Sequence, residues 1–253
     1  MGVQGSDGRT WLIGPGRPTD SWRNDAVSDQ LPPMSHNDRG EGKSRAPKVT
    51  IGELRVADVD AAVEVHLQAF PGFFLSFLGR SFLRQFYLAY CDDRTSVALV
   101  ATRDQPPELL GAVIGPLRPA GFYKSLLLRR WWRFGLAACA AVLRRPLIIP
   151  RLVRAVSYRG DAPADRTDRA LLSSVAVRPG AQGMGIGKML VRAFLEKTKQ
   201  AGLRGAYLTT DADNNDAVNA FYRRMGFKVE SEFTTPEGRR MFRHVYDFCD
   251  HPE

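Results

Sequence analysis

An α/β (α+β) domain, built on a mixed central β-sheet flanked by helices, is the fold class the sequence predicts. Three observations carry that expectation. Stretches with alternating apolar residues interleave along the chain with stretches whose apolar residues recur at helical spacing. The chain closes on two strand-like runs joined by a turn, the pattern of a terminal hairpin. A hydrophobic fraction of 44% over 253 residues can supply the core of one large domain.

The elements follow in order. Residues 1–46 are rich in Gly, Pro, Ser, Asp and Arg, hold few apolar residues and read as a disordered tail, with Met34 a second candidate start. The domain is expected over 47–253. Alternation predicts a strand over 49–55. Within 57–70, Val59, Ala62, Val63, His66 and Phe70 share one helical face, which makes His66 a packed core histidine. Pro71 and Gly72 stop that helix. A second helix is expected over 81–91, then two strands over 96–102 and 109–117 around a turn at 104–107. A strand over 170–177, a helix over 186–201, a strand over 205–210 and a helix over 216–225 come next. The closing hairpin uses 227–233 and 239–248.

Between the third and fourth strands, 121–158 reads as a basic helical insertion interrupted by Pro146 and Pro150. The net charge is +9, yet no Asp or Glu occurs from Leu109 to Gly160, while Arg118, Lys124 and eight arginines from Arg129 to Arg159 do. The charge excess is therefore local. Three uses fit it: a substrate lid with solvated arginines, a site for an anionic substrate such as a nucleotide-linked sugar, or a membrane-surface patch carrying Trp131, Trp132 and Phe134. No nucleic-acid recognition motif accompanies the charge, so no nucleic-acid partner is expected.

The three cysteines, Cys91, Cys139 and Cys249, are too few and too scattered for a disulfide framework or a metal cluster. No metal and a cytoplasmic location are the expectations. No run reaches the roughly 20 apolar residues that would cross a bilayer.

The chemistry concentrates in LLSSVAVRPGAQGMGIGKML, residues 171–190. A β-rich run stops at Pro179–Gly180, Gly183, Gly185 and Gly187 alternate, and an amphipathic helix begins. Glycines let the backbone approach a ligand closely, and the unpaired N–H groups of the helix's first turn favour an anion such as phosphate. The G-x-G-x-G spacing is not the G-x-G-x-x-G of a dinucleotide fold. Lys188 is followed by Met189 rather than the Ser or Thr of a P-loop.

Gln182-x-x-Gly185-x-Gly187 after Val175–Ala176–Val177 resembles the (Q/R)-x-x-G-x-(G/A) motif of the GNAT superfamily of N-acetyltransferases. Asn215, seven residues before Tyr222, with Gly226–Phe227 ending the helix, resembles the family's second signature. The resemblance is strong from 171 to 227 and weaker before it. It implies a GNAT-like fold and an acyl-CoA co-substrate, most simply acetyl-CoA. The backbone of Val175 and Val177 would pair with the pantetheine arm. The amides of Gly183, Met184, Gly185, Ile186, Gly187 and Lys188, next to Gln182, would hold the pyrophosphate. Asn215 would help bind the arm, and Tyr222 would protonate the leaving thiolate.

Direct transfer to an amine needs a group to remove the amine's proton. Members of the family often carry a Glu on the strand before the loop; here that strand offers Ser173 and Ser174. Asp211 and Asp213 are the nearest carboxylates to the motifs and serve as base candidates beside a plain role as loop acids. Glu237 in the last turn is a further carboxylate. The expected acceptor is a small-molecule amine, and a loose similarity of residues 70–87 to acetyltransferases of polysaccharide loci suggests an amino sugar. Two alternatives remain: a protein N-acetyltransferase, or a non-catalytic acyl-CoA-binding sensor.

Overall fold

The computed structural model describes residues 48–71, 74–123, 125, 128, 168–236 and 238–250. The expected tail over 1–46, nearly all of the basic insertion 121–158 and Glu237 lie outside the described residues.

Strand β1 is Val49–Glu53. A 3₁₀ turn, Val56–Asp58, leads into helix α1, Val59–Ala69. The face read from the sequence is the buried one, with Val59, Ala62, Val63 and His66 inside. A short helix α2, Phe74–Phe77, and α3, Gly79–Cys91, follow. Strands β2, Ser96–Asp104, and β3, Pro107–Pro116, form an antiparallel hairpin. Helix α4 is Ile186–Gln200, strand β6 is Gly205–Asp211 and helix α5 is Asp216–Arg224. Strands β7, Lys228–Thr234, and β8, Arg240–Asp247, make the closing hairpin.

The strand expected over 170–177 is two strands, and this is the main correction to the sequence reading. Strand β4, Arg169–Leu171, pairs in parallel with β6. Strand β5, Ser174–Val177, pairs antiparallel with β3. The sheet accordingly divides into two four-stranded halves, β1-β2-β3-β5 and β4-β6-β8-β7. The switch occurs within two residues: the Leu172 N–H donates to the Tyr207 carbonyl at 2.9 Å, and the Ser173 N–H donates to the Ile114 carbonyl at 2.9 Å. Ser173 and Ser174 both oppose Ile114, a bulge that turns the strand from one half-sheet to the other. Periodicity does not register the break because both halves are buried.

Two apolar clusters sandwich the first half-sheet. One joins α1 and α3 to Val100, Ala112, Ile114 and Ala176. The other joins α4 and α5 to Leu99, Val113, Leu172 and Leu208. The aromatic stretch 70–87 belongs to the first cluster: Phe70, Phe82, Phe86 and Tyr87 are buried in it. Its composition therefore answers to packing first. His66 is core as well, its Nδ1 lying 3.0 Å from the Tyr87 hydroxyl.

Close backbone approach holds the division in place. A Cβ on Gly115 would lie 2.0 Å from the Leu171 carbonyl oxygen and 2.9 Å from a Phe194 ring carbon. Neither the strand backbone nor the buried ring can retreat cheaply. Gly115→Ala should lower stability by about 3 kcal/mol or more. At roughly 2–4 °C per kcal/mol, that is a melting temperature several degrees or more below the parent by calorimetry. A melting point within a degree of the parent would show that β3 can move away from the hinge.

Candidate functional site

Past Leu172 the two half-sheets part. Arg178 N–H donates to Leu110 O at 2.8 Å, so in β5 the even-numbered residues bond β3. Val175 and Val177 therefore turn their peptide groups away from β3, into the gap that faces β6. On the opposite lip the same alternation, fixed by Leu172 N–H to Tyr207 O, turns the Thr209 peptide groups into the gap. Among the described residues no backbone group pairs with these peptide groups, which leaves two facing strand edges open to a further ladder.

The wide end of the gap meets the glycine loop. After a 3₁₀ turn, Pro179–Ala181, Gln182, Gly183, Met184 and Gly185 are exposed. Gly183 and Gly185 have φ of +82° and +79°, which a residue with a Cβ adopts only under strain, and a Cβ at either would meet nothing within 4 Å. Gly185 is the N-cap of α4 and offers no side-chain cap, so the first-turn N–H groups from Ile186 to Lys188 stay open toward that space. Gly187 differs: it is helical, and a Cβ there would make ordinary contacts of 3.7 Å with Phe221 and Val177. Nothing in the chain's own packing requires glycine at 187.

On the other lip, Asn215 caps α5, and its Nδ2 donates to the Asp211 carbonyl at 3.3 Å. Asn219, which the sequence reading missed, donates to the same carbonyl at 3.0 Å. The two amides hold the start of α5 against the end of β6. Asn219 Oδ1 also accepts from Thr210 Oγ1 at 2.6 Å, and His244 Nε2 lies 3.1 Å from Thr210 Oγ1 and 3.2 Å from Asn219 Oδ1. Asn219 Oδ1 can only accept, so the His244 proton sits on Nε2. Nδ1 is then a buried acceptor without a partner among the described residues. Burial, reinforced by the Arg223 charge, pushes this imidazole down to about 4.

Tyr222 is 2% exposed and packs its ring against Phe221, Phe227 and His244, with centroids 5.1, 5.6 and 6.0 Å away. Burial pushes its phenol well above the usual tyrosine value, so it is protonated at neutral pH. The two carboxylates have different surroundings. Asp211 is buried, pairs through Oδ1 with Arg239 and leaves Oδ2 without a partner among the described residues. Burial raises its carboxyl pKa, against the lowering effect of Arg239. Asp213 is exposed and pairs with Arg240 at 2.9 Å. Sequence reasoning missed Asn219 and His244; the one available signal was that Asn215, Asn219 and Tyr222 share a face of a short helix.

The geometry is thus a gap between two half-sheets, edged by peptide groups that have no backbone partner among the described residues and ended by a glycine loop at the N-terminus of α4. The Acetyltransferase (GNAT) family is matched over residues 77–227, more than half of the chain, and the chain belongs to that family of acyltransferases. A mycothiol acetyltransferase of Arthrobacter sp. is 51% identical over 53 residues, which is 21% of this chain and 16% of that protein. A mycothiol acetyltransferase of Nocardia farcinica is 45% identical over 53 residues, 21% of this chain and 17% of that protein. The chain thus matches about a sixth of the length of these curated relatives. Among solved structures, a spermidine N-acetyltransferase chimera from Vibrio cholerae superposes with a TM-score of 0.52 at 15% identity, over 80% of this chain and 96% of that one. Arabidopsis thaliana NAA60 with a bisubstrate analogue gives 0.51 at 15% identity, over 79% and 98%. At that identity the likeness shows the fold alone. Among the described residues no helix is long and apolar enough to cross a membrane, and no cluster of three or more His, Cys, Asp or Glu could hold a metal ion.

The buried His244 makes stability depend on pH. In the unfolded chain an imidazole protonates near 6.5, whereas in the fold it stays neutral to about 4. Stability is lost as pH falls through that window, at a limiting slope of about 1.4 kcal/mol per pH unit. Comparing urea midpoints at pH 7.5 and 5 should show a smaller drop in His244→Gln than in the parent. Equal drops would mean that other groups carry the acid sensitivity.

Proposed function

We propose that this chain transfers the acetyl group of acetyl-CoA to an amine of a small molecule, directly and without an acyl-enzyme. The observation that carries the reading is the gap itself. Val175, Val177 and Thr209 present amide donors and acceptors along a slot of the kind that the amides of a pantetheine arm can pair with. The open N–H groups from Gly183 to Lys188 lie at its wide end, where a pyrophosphate would gain most from them. In the slot a strand N–H is available to the carbonyl oxygen as it becomes an oxyanion.

An alkylamine has a pKa near 10.4, so only about one molecule in a thousand is neutral at pH 7 and a proton must leave before attack. Of the two carboxylates, Asp211 fits the base role better, because its Oδ2 has no partner and burial raises its affinity for a proton. Asp213, exposed and held by Arg240, fits a structural role. Asn215 holds the lip that would face the arm. Tyr222, protonated and on the buried face of α5, is assigned to the departing thiolate. The curated relatives named mycothiol acetyltransferases favour a small acceptor, and we extend the reading to amino-sugar-like amines. A cytoplasmic location belongs to the same proposal. An anionic acceptor or a membrane-surface contact at 121–158 belongs to the same proposal.

Gly185→Glu would put a carboxylate into the space offered to the phosphates. Calorimetry should show acetyl-CoA binding by the parent and none by the variant. Binding of equal strength in both would end the cofactor assignment. Tyr222→Phe should lower kcat by about 10²–10⁴ if the hydroxyl delivers the proton, with acetyl-CoA affinity within a few-fold of the parent. A kcat within about threefold would assign Tyr222 to packing alone. An acceptor screen read by free CoA separates the alternatives: release with small amines supports the reading, and release with peptides alone makes the chain a protein acetyltransferase.

A further inference from the structure

The proposed donor reaches the gap from the side of α4 and α5, since the glycine loop and both helices pack on that face of the first half-sheet. An acceptor arriving by the same route would have to pass the cofactor arm. The opposite face, beneath α1 and α3, is the one left for it. On that face, at the point where the strands part, lies a chain of buried hydroxyls. Tyr123 Oη is 2.6 Å from Ser173 Oγ, and Tyr90 Oη donates to Tyr123 Oη at 3.5 Å. All three residues are buried, Ser173 at 9% exposure. Ser173 is the residue whose N–H makes the first bond to β3 after Leu172 has made the last bond to β6.

The hydrogen bonding of Ser173 leaves something over, whichever hydroxyl of the Tyr123–Ser173 pair donates. Tyr123 is the one side-chain partner that Ser173 has among the described residues. A hydroxyl engaged in one hydrogen bond still has lone-pair capacity to place, and its proton as well where it is the acceptor. At 9% exposure water is an incomplete partner for them. The free valence of Ser173 is thus held at the apex of the gap, on the acceptor's side.

We infer that Ser173 is the contact that binds the acceptor amine, with Tyr123 as the residue that orients it. The inference rests on the acyl-transfer reading above. The Ser173 oxygen accepts an N–H of the uncharged amine and points the nitrogen lone pair at the thioester carbon. In the transfer, the N–C bond forms and the C–S bond breaks. The nitrogen's surplus proton leaves to Asp211 or water, and the thiolate takes a proton from Tyr222 or water. Ser173 keeps its own proton throughout. A chain of hydroxyls with no carboxylate in it among the described residues favours a neutral amine over an ammonium ion.

The test uses hydroxylamine, a small amine largely uncharged at neutral pH, as the acceptor and free CoA as the readout. The full chain, folded and with acetyl-CoA bound, is the starting material. Ser173→Ala should raise the hydroxylamine KM about tenfold, the value of one lost hydrogen bond of about 1.4 kcal/mol, and Tyr123→Phe by a smaller factor. Acetyl-CoA affinity by calorimetry and melting temperature should match the parent, and Ser173→Thr, which keeps the oxygen, should restore the KM. A parent that fails to bind acetyl-CoA would overturn the transferase reading and this inference with it. Binding in the parent without hydroxylamine-dependent CoA release, or an unchanged KM in Ser173→Ala, would overturn the inference alone. So would a KM that rises only together with loss of acetyl-CoA affinity and melting temperature, the mark of a packing role.

Discussion

The exchange of hydrogen-bond partners between Leu172 and Ser173 is the event on which the rest of the molecule depends. A strand has two edges and must satisfy both. Up to Leu172 the strand's peptide groups on one edge are taken by β6, and from Ser173 onward those on the other edge are taken by β3. Past the switch β5 stays with β3 and β6 with β8, and the edges by which β5 and β6 face one another hold no pairing among the described residues. The cleft is a consequence of backbone accounting, with no cavity carved by missing side chains.

Two sets of side chains brace the second half-sheet, which forms one side of the gap. On the β6 side, Arg169 makes a bidentate pair with Asp247, at 2.7 and 2.6 Å, and reaches Glu230 at 2.9 Å. These bonds fasten β4 to β8 and β7. The guanidinium holds the Asp247 carboxyl below the usual carboxylate range. A buried ion pair adds little to net stability but is costly to break by halves, so it acts as a positional lock. At the far end of β6, Asn215 and Asn219 close on one carbonyl, and His244 completes the cluster. The same cluster that orders α5 also brings Tyr222 into its packed position beside His244. The group assigned to the thiolate and the lip of the gap are therefore set by one buried polar unit.

The glycine loop was legible before any fold was known because its requirement is local. A positive φ at Gly183 and Gly185 is a property of those residues alone, and a helix N-cap without a side chain follows from Gly185 preceding an amphipathic run. Helix α1 was legible for a similar reason, since its buried face repeats within eleven residues. Asn219, His244 and the Tyr123–Ser173 pair were not. Their partners lie on separate elements, up to fifty residues apart for Tyr123 and Ser173, and no spacing rule connects them. The rings of Phe70, Phe82, Phe86 and Tyr87 fill the core, a placement that composition does not announce because it does not say which way a ring faces.

By itself, the sequence determined the interleaved α/β class, the order of its elements, the anion-attracting loop and the family signature around Gln182 and Tyr222. All of these are written in the period and chemistry of short runs, where each residue's neighbours in space are its neighbours in the chain. Only the tertiary structure decided that 169–177 is two strands rather than one, which peptide groups face the gap, and that Asp211 is buried with one oxygen unpartnered while Asp213 stands in solvent. Those outcomes depend on which strands lie on either side. A hydrogen bond is allocated between strands, and the periodicity of one strand carries no record of its partner.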